Sequence, residues 1–313
     1  MTSPAPVSPG MTGRLWLMIL LMSALWGGGF MFIKFALTGF APFSVVAGRV
    51  GVAAVALGLI VAVGRQRLPR QAKVWRAFFM MGALNNLIPW MMVAWAQTQI
   101  PSSMAAILNA PTPLLTAVMA HLLTHDEKLT RQRFTGVLAG MLGVALVVGP
   151  GVLSGMDSAV LAQITCLSAT VSYAASAVYG RVFRSMEVTP VVAAFGQQLM
   201  VACVIVPLAL AVDQPWSRPA PGAGALAAVL ALGVIATALP YIIFYRVLAE
   251  AGATNLMLVN LLIPGWAVAL GAMVLGERLP PTAFLGMAMV GVGLAVIDGR
   301  LFPAIWRRLT GRS

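Results

Sequence analysis

Ten apolar stretches, each near the length of about 20 residues that crosses a hydrocarbon core of about 30 Å, restrict this chain to a fold built in lipid. They run over residues 15–37, 42–63, 77–97, 102–123, 134–150, 158–180, 189–211, 224–247, 254–275 and 282–299. Charged residues make up only 9% of the chain, against about a quarter in a soluble domain. The runs are continuous and do not alternate in segments of about ten residues, which selects helices over barrel strands. The first run continues through Trp26 and Phe30 to Leu37, too long for the core of a signal peptide, so it is read as a membrane helix. Cys166 and Cys203 both fall inside spans and are read as packing residues, with no bearing on redox compartment.

A net charge of +12 would suggest nucleic acid in a soluble protein, but here the position of each charge matters more. With the N-terminus placed in the cytoplasm, sixteen of the twenty Lys and Arg fall on the cytoplasmic side, only Arg218 and Arg278 fall outside, and Lys34 and Arg49 lie within spans. This bias predicts both termini inside and some attraction to anionic lipid.

The sequence also repeats. A shift of 150 pairs Glu127 with Glu277, Gly136 with Gly286 and Gly143 with Gly293; a shift of 151 pairs Gly82 with Gly233, Pro89 with Pro240, Asn109 with Asn260 and Pro113 with Pro264. Five spans per half is an odd number, so the second copy must enter the membrane upside down. The expected fold is all-α, ten transmembrane helices forming two inverted five-helix repeats around a central cavity, an architecture suited to alternating access. The expected divisions are a cytoplasmic tail over 1–14, repeats over 15–150 and 151–300, and a basic cytoplasmic tail over 301–313.

Several motifs resemble one family. Trp26-Gly27-Gly28-Gly29-Phe30 followed by Lys34, Pro42 with Arg49, and Asn-x-x-x-Pro followed by Glu-Lys-Leu or Glu-Arg-Leu after the fourth and ninth spans are similar to the EamA family of the drug/metabolite transporter superfamily. The resemblance covers residues 12 to 300. It implies a ten-helix basket with a central cavity and export of amino acids or related metabolites across a bacterial inner membrane. The small multidrug members of that superfamily depend on a glutamate in their first helix, and no Asp or Glu occurs between Leu15 and Leu37. Proton-coupled export of cationic drugs is therefore disfavoured.

Lys34 and Arg49 are the costly residues, since a basic side chain in a helix centre costs about 2.5–3.5 kcal/mol on insertion scales and such groups usually face a cavity or a partner. Each can attract a substrate carboxylate; Lys34 can instead snorkel to the interface. The repeat pairs Arg49 with Gln197, so the site need not be symmetric. A proline inside a helix frees the carbonyl four residues earlier, here that of Asn109 or Asn260. Such polar backbone at mid-depth is tolerated where protein or a watery cavity satisfies it. Asn86 and Trp90 share a helix face, as do their repeat partners Thr237 and Tyr241, while Asn85 is expected against a neighbouring helix. The candidate cavity residues are Lys34, Arg49, Asn86, Trp90, Asn109, Tyr241 and Asn260, with Pro113, Pro264, Pro89 and Pro240 shaping helices.

The glycine runs serve close helix approach, and Gly136, Gly140 and Gly143 with Gly286 and Gly293 can form a contact within one chain or between two. His121 and His125, beside Asp126 and Glu127, make a weak metal motif better read as an interfacial pair. No G-x-x-x-x-G-K-[ST] loop and no mid-span carboxylate occur, so neither ATP-driven pumping nor an acidic proton carrier is indicated. The sequence calls for no catalytic residue, cofactor or metal. Its expected partners are a small-molecule substrate and membrane lipid, with no nucleic acid, as monomer or homodimer. The alternatives are a drug or nucleotide-sugar transporter and, from another class, a membrane enzyme acting on lipid.

Overall fold

The computed structural model describes residues 12–124, 129–149, 157–256 and 258–298. His125, Asp126, Glu127, the linker from Pro150 to Met156 and both tails lie outside the described residues. The described residues form ten apolar helical paths joined by short connections, each path at least 18 residues long, with no strand among them. In chain order they are α1 (Gly13–Ala36), α2 (Pro42–Val63), α3 (Ala72–Ala96), α4 (Ser102–Leu123), α5 (Arg131–Val148), α6 (Ser158–Tyr179), α7 (Pro190–Asp213), α8 (Ala223–Gly233 continued through Leu239–Leu256), α9 (Leu258–Leu275) and α10 (Pro281–Asp298). The third and fifth paths begin five and three residues before the apolar runs, because Lys73, Arg76, Arg131 and Arg133 ride on helix ends that project past the apolar zone.

The starts follow ordinary capping rules. Asp157 accepts from the Val160 N–H at 2.7 Å and Thr130 from that of Arg133 at 3.2 Å, while α2 and α7 open with prolines whose missing N–H has no helical partner to lose. The outward side chains are apolar, as Leu59, Leu122 and Met273 show, which is what a surface facing hydrocarbon requires.

The repeat is visible in how the halves touch. A Cβ added at Gly233 would lie 3.1 Å from the Arg49 carbonyl oxygen, and one at its repeat partner Gly82 would lie 2.9 Å from the carbonyl of Gln197, the partner of Arg49. α8 thus crosses α2 as α3 crosses α7. Between α5 and α10 the two copies meet directly: a Cβ at Gly136 would be 2.7 Å from the Gly293 carbonyl, and one at Gly143 2.6 Å from that of Gly286. This glycine contact lies within one chain. Backbone approach this close needs residues without side chains and supplies the dispersion contacts that hold helices together in lipid.

Two further features recur at the same register. Ala83–Leu87 within α3 and Val234–Ala238 within α8 are π turns, 151 residues apart, in which Ile88 N–H reaches the Ala83 carbonyl and Leu239 N–H that of Val234. Each has a proline one residue past its end, Pro89 after Ile88 and Pro240 after Leu239. In an i→i+5 pattern the Leu84 carbonyl awaits the N–H that Pro89 lacks, and the Ser172 hydroxyl donates to it at 2.7 Å instead. Pro113 and Pro264 differ in effect. α4 is broken between Asn109 and Thr112, with Pro111 and Pro113 at the break, whereas α9, with Leu262 in place of Pro111, runs on through Pro264.

At the face opposite the start of α1, the Asp213 carboxylate accepts from the Ser44 N–H at 2.6 Å and hydroxyl at 2.8 Å, tying the beginning of α2 to the end of α7.

Candidate functional site

A cavity of about 710 Å³ lies between the halves, within the range of small-molecule sites. Its deep wall includes Ile33, Val93 and Ala106; its other end reaches Leu129, the exposed Arg133, Leu294 and Ile297, at the face where α5 begins and α10 ends. The mouth therefore opens on the face carrying most of the basic residues.

Arg49 is the central charge of this cavity and is 8% exposed. Its guanidinium lies 3.6 Å from the centre of the Trp90 ring, a cation–π contact that is strongest when desolvated. Its Nε donates to Thr237 Oγ1 at 2.9 Å and its Nη2 to the Ala236 carbonyl at 3.5 Å. Thr237 in turn donates to the Leu232 carbonyl at 2.7 Å. Arg49 from the first half is thus held by an aromatic ring of its own half and by the π turn of the other. Among the described residues these bonds leave both N–H groups of Nη1 for a solute. No described lining residue is a carboxylate, so no ion partner on the wall competes for that charge.

Trp90, Asn109, Tyr241 and Asn260 also line the cavity, as do Pro113 and Pro264. Asn109 serves its own helix: its Nδ2 donates to the Ala105 carbonyl at 2.8 Å and to Cys166 Sγ at 3.1 Å. The carbonyl freed by Pro113 accepts the Thr112 hydroxyl at 2.7 Å. Asn109 and Pro113 therefore shape the helix break and border the cavity at once.

Two sequence candidates lie elsewhere. Lys34, in the last turn of α1, does not line the cavity; its Nζ donates to the Gln97 carbonyl at 2.7 Å and to that of Ile100 at 3.1 Å. A flexible ammonium stem near a helix end reaches carbonyls beyond the span more readily than it turns back into the core. Asn86 is fully buried, and its neighbour Asn85 takes the wall position. In the π turn, residues five apart stack, so Asn85 and not Asn86 shares the face of Trp90. Asn85 Nδ2 donates to the Tyr241 hydroxyl at 3.2 Å, which donates to Asn86 Oδ1 at 3.4 Å, while Ser176 donates to Asn85 Oδ1 at 3.1 Å. This network joins α3 of the first half to α6 and α8 of the second.

The wall also contains Thr237, the repeat partner of Asn86 on the polar-aromatic stripe, and further Trp26, Phe30, Tyr173, Phe244 and Arg133, none of which sequence reasoning put in the cavity. The pairing of Trp26 with Tyr173 at a shift of 147 was the available signal, since both members border one space. Gln197, the partner of Arg49, is buried and borders no part of the cavity, so the charge is asymmetric within a symmetric scaffold.

Comparison with known proteins follows the same lines. Residues 14–149 and 160–298 each match the EamA-like transporter family. An uncharacterized transporter of Bacillus subtilis, YoaV, is 20% identical over 90% of this chain and 95% of its own. An S-adenosylmethionine/S-adenosylhomocysteine transporter of Chlamydia trachomatis is 24% identical over 90% of this chain and 88% of its own. A probable terminal-alkyne amino-acid exporter of Streptantibioticus cattleyicolor is 24% identical over 91% and 93%. A protein of known crystal structure, 17% identical, superposes with a TM-score of 0.61 over 91% of this chain and 97% of its own, a likeness of fold.

Proposed function

This chain belongs to the EamA-like transporter family, and from that premise we propose that it exports small zwitterionic or anionic metabolites, amino acids first among them, by alternating access between its halves. Arg49 carries this reading. It is a buried guanidinium on the cavity wall, stacked on Trp90, with donors left over and no described carboxylate beside it. A solute carboxylate meeting Nη1 would gain a charge-assisted hydrogen bond in a site of low dielectric, and Trp26, Phe30, Tyr173 and Phe244 offer apolar surface to a side chain. The amino-acid exporter among the relatives supports the same class.

The protein spans a membrane many times; we place it in a bacterial inner membrane with both termini cytoplasmic, on the strength of sixteen basic residues against two. In that orientation the cavity mouth faces the cytoplasm, the side from which an exporter loads. Lys34 is withdrawn from the binding set, and Asn85 and Thr237 join it.

The test is uptake of a labelled amino-acid panel into proteoliposomes, with and without a proton gradient, beside empty vesicles. Saturable uptake of one class supports the reading, and dependence on the gradient decides coupling. Folded, orientation-checked protein giving no uptake above empty vesicles for any amino acid overturns the assignment and directs the search to drugs and nucleotide sugars.

A further inference from the structure

The cavity stops short of the face opposite its mouth, and the segment closing it there is held from both halves. That segment, 97–103, joins α3 to α4. Lys34 of α1 binds its Gln97 and Ile100 carbonyls at 2.7 and 3.1 Å. Glu277, between α9 and α10 of the second half, accepts from the Ser102 N–H at 2.7 Å, from the Ser103 N–H at 2.9 Å and from the Ser103 hydroxyl. A carboxylate on the first N–H groups of α4 is also favoured by the helix dipole. The surroundings make room for it. A Cβ on Gly271 would lie 2.6 Å from Glu277 Oε2 and 3.3 Å from Ser103 Cβ, so only glycine lets α9, the carboxylate and α4 meet. Burial raises the Glu277 pKa, but the Ser103 and Ser102 hydrogen bonds outweigh it and hold the group below the ordinary glutamate value.

We propose that Glu277, seated against Gly271 and assisted by Lys34, is a latch between the halves that keeps this face closed while the cavity is open at the other, and that its release from Ser102 and Ser103 is a required step of the transport cycle. The latch rests on the alternating-access reading but on no particular solute. Its bonds can be exchanged for water only when 97–103 and 276–280 separate. A charge-assisted contact between parts that never separate would have no such role, and that difference can be measured.

Spin labels at the exposed Gln99 and Arg278 report the separation across this face by pulsed dipolar spectroscopy on the full chain in liposomes, with Cys203 replaced by alanine. The parent protein is expected to be dominated by one short distance. Glu277→Gln should raise the ratio of long to short distances about tenfold, the scale of one charge-assisted hydrogen bond. Ser103→Ala, which keeps both backbone donors, should raise it less. Gly271→Ala should act in the direction of Glu277→Gln although the carboxylate remains. Parental distances in Glu277→Gln and Gly271→Ala, whether or not the melting temperature falls, overturn the latch and leave a static helix cap. Should Glu277→Gln not fold, Ser103→Ala and Gly271→Ala decide by the same distances. Shifted distances in a protein that carries no amino acid uphold the latch and sink the solute assignment; amino-acid transport with unshifted distances does the reverse.

Discussion

Replacing Arg49 by leucine removes the cavity's central charge while keeping an apolar stem, and the structure says what that should cost. Nη1 is the part of the guanidinium not committed to Thr237 or Ala236. A carboxylate bound there makes at least one hydrogen bond to a charged group, worth about 1.5–3 kcal/mol. Since about 1.4 kcal/mol is tenfold in affinity, KM for an amino acid should rise about 10- to 150-fold. The methyl ester of the same amino acid carries no charge at that end and should change by less than about threefold. The parent protein should therefore prefer acid over ester by the larger factor, and Arg49→Leu should not. Comparing two proteins with two solutes isolates this one interaction in the manner of a double-mutant cycle. Arg49→Lys, which keeps the charge but loses the fork and the flat stack on Trp90, should fall between. The assay is the initial rate of uptake of one labelled amino acid into proteoliposomes, with unlabelled acid or ester as competitor. The reasoning fails if a monodisperse Arg49→Leu protein still prefers the acid as strongly as the parent. It fails equally if acid and ester weaken together, because Arg49 would then only hold α2 against α8.

Thr237→Val removes the acceptor of Arg49 Nε without changing side-chain volume, and should raise KM for the acid about tenfold with the ester little affected in the same competition assay. Gly143→Ala sets a Cβ 2.6 Å from the Gly286 carbonyl and 2.8 Å from the Val290 nitrogen, backbone atoms that cannot turn aside. It should destabilise by about 1–3 kcal/mol, read as a lower melting temperature in detergent, while Gly291→Ala, with nothing within 4 Å, should leave the melt unchanged. The pKa of Glu277 is lowered from 4.5 on folding, so its contribution is full above that value and lost as pH falls through the lower folded one. The facing Lys34 stays charged over that range, and the Gln99–Arg278 distance should lengthen as pH drops below about 4.5, an effect that Glu277→Gln abolishes.

Much of the fold was legible because lipid permits few solutions. Length and continuity of the apolar runs gave ten helices, and matched glycines and prolines gave two copies. The site was legible where one residue carries an unusual cost: Arg49 is a charge that a membrane interior does not tolerate without purpose, and it does line the cavity. Lys34 carries the same charge but stands a few residues from a helix end, and sequence alone does not say which way a flexible stem turns. Asn86 was misplaced for a different reason. A regular 3.6-residue period puts it beneath Trp90, but the π turn adds a residue and brings Asn85 there. The break in α4 was underread because Asn-x-x-x-Pro looks alike in both halves, while the deciding difference is Pro111 against Leu262. Trp26 and Tyr173 were passed over because aromatic residues in apolar spans are common, and only their meeting in space singles them out.

The paired π turns carry a constraint on spacing. Each stores one residue beyond an α-helical turn, so everything past it is rotated by about 100° relative to an uninterrupted helix. Deleting a single residue within 83–87 would put Pro89 in an ordinary α-helical register, where its ring and missing N–H oppose the carbonyl four residues earlier, and would swing Trp90 away from Arg49 and uncouple Asn85 from Tyr241. The corresponding deletion within 234–238 would carry Thr237 away from the same guanidinium. At these two places the count of residues governs the chemistry of the cavity as firmly as their identity.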